Sequence, residues 1–95
     1  MSDETKSTER AIISVLGADR SGIVAAVAGL LAERDVNILD ISQTILQGIF
    51  TMTMLVDLAQ ADFAELKACL DKLSEGLGVQ IMMQREEVVR YMYRL

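Results

Sequence analysis

The sequence has no histidine and only one cysteine, and these scarcities limit the chemistry open to it. Histidine is the commonest general base, and histidine and cysteine supply most zinc and copper ligands. Cys69 falls inside a predicted helix, where we expect a small buried side chain. We therefore predict no catalytic residues, no metal site and no cofactor. One cysteine cannot form a disulfide within the chain, so the simplest setting is reducing and cytoplasmic.

Basic residues, aromatic residues and long apolar runs are also scarce. Nine Lys and Arg stand against 14 Asp and Glu, a net charge of −5, which argues against a nucleic-acid partner. Two Phe and two Tyr are too few for RNA binding on an open sheet. No apolar run approaches the ~20 residues of a membrane-spanning helix, and residues 1–10 lack the apolar core of a secretory signal.

Apolar residues, by contrast, are abundant for so short a chain. They make up 52% of 95 residues, and the six glycines raise this share to about 58%, against a usual ~45–50% on that count. A single domain of this size has too little interior for all of that surface. We therefore expect part of it to lie against a second copy, as a homodimer.

The periodicity of the apolar residues predicts the order β-α-β-β-α-β, followed by a short helix. Residues 1–10 are predicted to be a disordered tail, and residues 11–95 a single domain. The strands are predicted at 11–16, 36–46, 49–56 and 79–84, and the helices at 20–34, 62–76 and 86–95. This order is that of an α+β ferredoxin-like sandwich, with a four-stranded antiparallel sheet and two helices on one face. The opposite face is predicted to carry Ser14, Thr51, Thr53, Gln80 and Gln84.

Residues 17–24, Gly-Ala-Asp-Arg-Ser-Gly-Ile-Val, form the turn from the first strand into the first helix. The N–H groups at the start of a helix, with the helix dipole behind them, suit a carboxylate or another anion. Asp19 is the candidate N-cap. Gly17 and Gly22 allow backbone angles or close approaches that a Cβ would obstruct.

Small-ligand binding is the chemistry that these residues leave open. The turn offers N–H groups with the side chains of Asp19 and Ser21, and Asn37 opens the second strand. Within one chain Asn37 need not lie near the turn, but a second subunit could bring it there. The alternative is that Asp19 and Asn37 only cap and turn the chain. A P-loop does not fit, because Ile23 and Val24 stand where its Lys and Ser or Thr would be.

The turn motif, Val36-Asn37-Ile38-Leu39-Asp40-Ile41 and Gly48-Ile49-Phe50-Thr51-Met52 together resemble the ACT domain family over about residues 11–85. Ser42-Gln43-Thr44 and the Tyr-containing C-terminal helix are similar, more narrowly, to small stand-alone ACT proteins of the UPF0237 type. The resemblance implies a regulatory module that binds an amino acid or a similar small molecule where two domains meet. It places ligand contacts at Ala18, Asp19, Arg20, Ser21, Gly22 and Ile23, with Asn37 and Ile38 from the partner.

Two departures from the family pattern affect this expectation. Many relatives have Pro where this chain has Ser21, which adds a hydroxyl able to contact a ligand. Because this sequence carries no catalytic or DNA-binding domain, we expect any regulated enzyme to be a separate protein. Three hypotheses follow: an amino acid sensor without catalysis of its own, a module that docks onto a metabolic enzyme or another ACT protein, and an enzyme that uses Cys69.

Overall fold

The computed structural model describes residues 9–18 and 22–92. The elements are β1 (Arg10–Gly17), α1 (Ile23–Glu33), β2 (Asn37–Leu46), β3 (Ile49–Asp57), α2 (Phe63–Leu77), β4 (Gln80–Arg85) and α3 (Glu86–Met92). This order confirms the predicted βαββαβ plan with a short C-terminal helix. Residues 1–8 of the predicted tail and residues 93–95 of the predicted last helix lie outside the described residues. β1 begins at Arg10, one residue earlier than predicted.

The four strands form one antiparallel sheet in the order β2-β3-β1-β4. The central strands bury alternate side chains on the face that the helices cover, because successive side chains of a strand point to opposite faces. β1 contributes Ala11, Ile13 and Val15 to this face, and β3 contributes Phe50, Met52, Met54 and Val56. The register aligns Ser14 with Thr53 and Leu16 with both Thr51 and Gln80 on the opposite face. That face therefore carries the predicted polar residues, including Gln84 beside Ile12.

The two long helices bury the stripes that their spacing predicts. α1 buries Ile23, Val27 and Leu31. α2 buries Leu66 and Leu70. Phe63 and Leu73 pack at the margin of this core. Cys69 is a free thiol and is only partly buried, less than expected.

Both ends of α2 are capped. Asp62 is the N-cap, and its Oδ2 accepts a hydrogen bond of 3.0 Å from the backbone N–H of Glu65. Gly78 is the C-cap and adopts the left-handed conformation with φ 71°, while Gly76 lies within the last turn of the helix. The helix therefore ends one residue later than predicted.

The hairpin between β2 and β3 turns at Gln47 and Gly48, as predicted. Both residues have positive φ, 52° and 85°, which is the signature of a two-residue type I′ turn. The register of β2 shifts between Ile38 and Asp40, so Leu39 is an extra residue on this strand. This register shift is a β-bulge near the start of β2.

Candidate functional site

The turn after β1 depends on its two glycines, each for a different reason. A Cβ on Gly17 would lie 2.6 Å from Cγ1 of Val79, so the strand can pass this side chain only without one. Gly22 has φ 77°, in the left-handed region where a Cβ is unfavourable. Both roles agree with the sequence interpretation.

Helix α1 begins at Ile23, with Gly22 rather than Asp19 as its N-cap. The carbonyl of Gly22 accepts the first helical hydrogen bond, 2.9 Å from the backbone N of Ala26. The prediction of Asp19 as N-cap was wrong, because the chain uses a left-handed glycine to enter the helix three residues further on. The backbone N–H groups that open α1 thus belong to residues following Gly22.

The predicted ligand-contacting residues divide into three groups. Ala18 and Gly22 are exposed, and the side chain of Ile23 is buried in the core. Asn37 and Ile38 are exposed at the start of β2. The side chain of Ile23 therefore positions the helix, while its backbone belongs to the first turn. The remaining residues of the group, Asp19, Arg20 and Ser21, lie outside the described residues.

Asn37 lies at the opposite end of the sheet from the turn. It pairs with Asp57, which pairs in turn with Arg10 at the start of β1, whereas Gly17 pairs with Phe50 at the other end. The two rows are seven residues apart along β1, which corresponds to roughly 23 Å. Within one chain, then, Asn37 and the turn are not neighbours, as the sequence interpretation allowed.

A groove of about 330 Å³ opens at the turn end of the sheet. Leu16, Thr51 and Gln80 share a row on the open face here. Sequence analysis placed polar residues on this face but missed the groove. The alternation of side chains along β1, β3 and β4 could have assigned these residues to one face. Only the register of the strands shows that they lie in one row. The other residues that line it are Ser14, Val15, Ser74, Ile81 and Met82.

Strand β2 is the most exposed part of the sheet. It is an edge strand, and all ten of its residues are exposed. Ile38, Ile41 and Ile45 follow the face that the helices cover elsewhere, since they pair with buried residues of β3. Sequence analysis expected excess apolar surface but did not locate it on this strand.

The described part of the chain was searched for metal-binding clusters and for membrane-spanning helices. Within residues 9–18 and 22–92, no group of three or more His, Cys, Asp or Glu side chains could hold a metal ion. No helix of this part combines the length and apolar character that would let it cross a bilayer.

The family model of the ACT domain matches residues 9–84. The chain belongs to the ACT domain family. It is 52% identical to a UPF0237 protein of Methanocaldococcus jannaschii, over 90% of this chain and 98% of that protein. It therefore also belongs to the UPF0237 proteins, as the sequence resemblance indicated. ACT domains are regulatory, small-molecule-binding modules.

Solved ACT domain structures superpose on this fold. An ACT domain protein from Streptococcus pneumoniae has a TM-score of 0.76 and 38% identity, with 94% of this chain and 99% of that one covered. The ACT domain of a GTP pyrophosphokinase from Chlorobium tepidum has a TM-score of 0.60 and 26% identity, with 83% and 99% covered. The fold thus occurs both in a small ACT protein and within an enzyme chain.

Proposed function

We propose that this protein is a homodimeric sensor that binds a small amino acid and has no catalytic activity of its own. Membership of the ACT domain family is the observation that carries the proposal. The free thiol of Cys69 suits a reducing, cytoplasmic setting. The liganded dimer would then act on a regulated enzyme.

The turn between β1 and α1 is the proposed ligand site. The carboxylate of the amino acid would rest on the backbone N–H groups that open α1, beginning at Ile23, since the first N–H groups of a helix lack partners within the helix. Its ammonium group would meet the carboxylate of Asp19 or the side-chain oxygen of the partner's Asn37. Ala18, Arg20 and Ile38 would form the surroundings of the bound molecule.

Calorimetry and thermal shift against each of the twenty amino acids test this proposal. We expect one amino acid, or a small chemically related set, to release or absorb heat and to raise Tm, because a ligand that binds only the folded state stabilises it. Asp19→Ala should weaken binding at least tenfold, since a charge-assisted contact is lost. Asp71→Ala, an exposed change on α2, is the matched control and should bind like the wild type.

The absence of heat and of any thermal shift with all twenty amino acids would contradict the proposal. The exposed apolar strand β2 favours one second candidate, a docking module for a metabolic enzyme or another ACT protein. A pull-down from the source cell separates the two. A stoichiometric partner whose recovery is independent of added amino acid would favour docking.

A further inference from the structure

None of the described strand residues on the turn half of the open sheet face is charged. β1 contributes Ser14 and Leu16 to this half, and the strand register brings their neighbours on β3 and β4 beside them. We call this set the neutral half-face. Its residues on the other three strands are Ser42, Thr44, Leu46, Ile49, Thr51, Thr53, Gln80 and Met82.

The strand charges of the open face lie toward the other end of the sheet. By the same alternation Arg10, Asp40 and Asp57 belong to this face, and the row of Asp40 is the nearest to the turn. Asp40 pairs with Leu55, which is four residues from Thr51 along β3, or roughly 13 Å. That distance exceeds the Debye length of ~8 Å at physiological ionic strength, so these strand charges act weakly at the turn end.

The groove of about 330 Å³ opens on the neutral half-face and offers hydrogen-bonding groups without charge. Ser14, Thr51 and Gln80 line it. Within residues 9–18 and 22–92, none of these three side chains forms a hydrogen bond to another protein group. The hydroxyl of Ser74, by contrast, donates to the carbonyl of Val79 at 2.5 Å. Two hydroxyls and one amide are therefore available to a ligand in the groove.

Apolar surface separates these polar groups. Leu16 lies between Thr51 and Gln80 in one row of the sheet, because β1 pairs with β3 on one side and with β4 on the other. Neighbouring strands are about 4.8 Å apart, so Thr51 and Gln80 lie roughly 10 Å apart across Leu16. Leu16 and Met82 are 45% and 60% exposed, so both can contact an apolar ligand. The row therefore has a polar–apolar–polar order that fits a molecule about two rings long.

The absence of charge in the lining decides the chemical class of the ligand. A charged group would lose hydration in the groove and meet no opposite charge among the lining residues, which is costly. Neutral hydroxyl, amide or carbonyl groups would find hydrogen-bond partners there. Two further cavities differ in this respect, because Glu33, Arg34 and Asp62 line one of them and Arg34 and Asp35 line the other. The groove thus favours an uncharged molecule.

We propose that this groove is a second binding site, for an uncharged small molecule about two rings long with a hydrogen-bonding group at each end. The apolar middle of the molecule lies on Leu16, one end meets the hydroxyl of Thr51, and the other meets the amide of Gln80. The groove volume of about 330 Å³ is within the usual range of small-molecule sites, roughly 300–1,000 Å³. A free amino acid carries two charges at neutral pH and does not suit this site, so the proposal is independent of the amino acid sensor.

Three probes of nearly the same size test the selection for a neutral ligand. Indoleacetamide is uncharged, indoleacetate is its anionic counterpart, and tryptamine is a cation on the same ring system. Titration of the wild type with indoleacetamide should move the backbone signals of residues 14–16, 51 and 80–82 in proton–nitrogen correlation NMR spectra. We expect a Kd of about 1 mM for this small probe. Both ions should bind roughly tenfold more weakly or worse, because the lining offers them no opposite charge.

Two matched pairs of substitutions separate the groove from the rest of the open face. Thr51→Val removes a groove hydroxyl with little change of shape, and Thr53→Val makes the same change on β3 outside the groove. Thr51→Val should weaken indoleacetamide binding about two- to tenfold, the effect of one hydrogen bond. Gln80→Glu should reverse the selection in favour of tryptamine, whereas Gln84→Glu, outside the groove on the same face of β4, should not. Circular dichroism checks that all four variants fold.

Each outcome decides for or against the site. Equal binding of the three probes, unmoved groove signals, or equal weakening by Thr51→Val and Thr53→Val would overturn the proposal. A second copy seated on this face would appear in light scattering as a particle mass that falls in Met82→Lys, and that result would overturn it as well. Amino acid binding is measured separately on the wild type. Its absence would refute the sensor and leave the groove site standing.

Discussion

Arg10 donates two hydrogen bonds of 2.8 Å to Glu86, from Nε to Oε1 and from Nη2 to Oε2. The pair joins the first residue of β1 to the first residue of α3, 76 positions apart in the chain. Arg90 adds a bond to Oε2 from one turn along α3. The C-terminal helix is therefore anchored to the sheet by its first residue.

This anchor predicts an acid-sensitive step in stability. The hydrogen bond from Arg10, with a smaller contribution from Arg90, lowers the pKa of Glu86 to about 2 even though partial burial opposes the shift. Its folded-state pKa is below its unfolded value, so its stabilising contribution is complete above about pH 5 and is lost as the pH falls toward 2. Urea unfolding of the wild type and Glu86→Gln should differ at pH 7 and converge toward pH 2.

The neighbouring residue supplies the control for this comparison. Glu87→Gln makes the same chemical change at an exposed position of α3. We expect its stability to track that of the wild type across the same pH range. A constant gap between wild type and Glu86→Gln from pH 7 to 2 would contradict the assigned role of the anchor.

Gly22 at the N-cap of α1 and Gly29 inside the helix should respond oppositely to substitution by alanine. Gly22 has φ 77°, so Gly22→Ala should cost about 1 kcal/mol of unfolding free energy. Gly29 lies inside the helix, where an added Cβ meets no atom within 4 Å, so Gly29→Ala should gain roughly 0.5–1 kcal/mol. Chemical denaturation measures both. Destabilisation of the two variants by the same amount would contradict the left-handed conformation of Gly22.

The N-cap of α2 is a third test. Asp62→Ala removes the acceptor for the backbone N–H of Glu65 and should cost about 1 kcal/mol. Glu75→Ala, at an exposed position near the other end of the helix, is the control and should change stability by less than about 0.5 kcal/mol. Thermal unfolding followed by circular dichroism at 222 nm measures both variants. Equal melting temperatures for wild type and Asp62→Ala would show that the cap is dispensable.

The packing of α2 on the sheet gives the largest expected effect. Leu66 is fully buried, so Leu66→Ala should lose about 2–5 kcal/mol through the cavity it creates. Leu77→Ala removes the same atoms at a position that is 37% exposed and should lose much less. Urea unfolding measures both variants. Similar losses of unfolding free energy would contradict the packing of α2 on the sheet through Leu66.

Much of this fold could be predicted because its signals are local. The alternation of Phe50, Met52 and Met54 and the Gln47-Gly48 turn each depend on neighbours in the chain. The start of α1 could not be read in the same way, because Asp19 and Gly22 both suit an N-cap and only the path of the backbone separates them.

The candidate site was less accessible to sequence reasoning for a related reason. Sequence analysis allowed Asn37 and the turn to lie apart, but their placement at opposite ends follows from the strand order, in which β3 separates β2 from β1. The grouping of Leu16, Thr51 and Gln80 needs an exact register, and apolar periodicity alone does not fix which residues of distant strands align.

The bulge at Leu39 decides which side of the sheet Asn37 occupies. Asn37 pairs with Asp57 and Ile38 with Val56, whereas beyond the bulge Asp40 pairs with Leu55. Leu39 has no partner of its own on β3, so the bulge absorbs one residue and restores the alternation on its far side. A regular strand that kept Leu39 would turn the Asn37 amide to the helix side. Deleting Leu39 would close the bulge and leave Asn37 opposite Asp57, on the face that it occupies now.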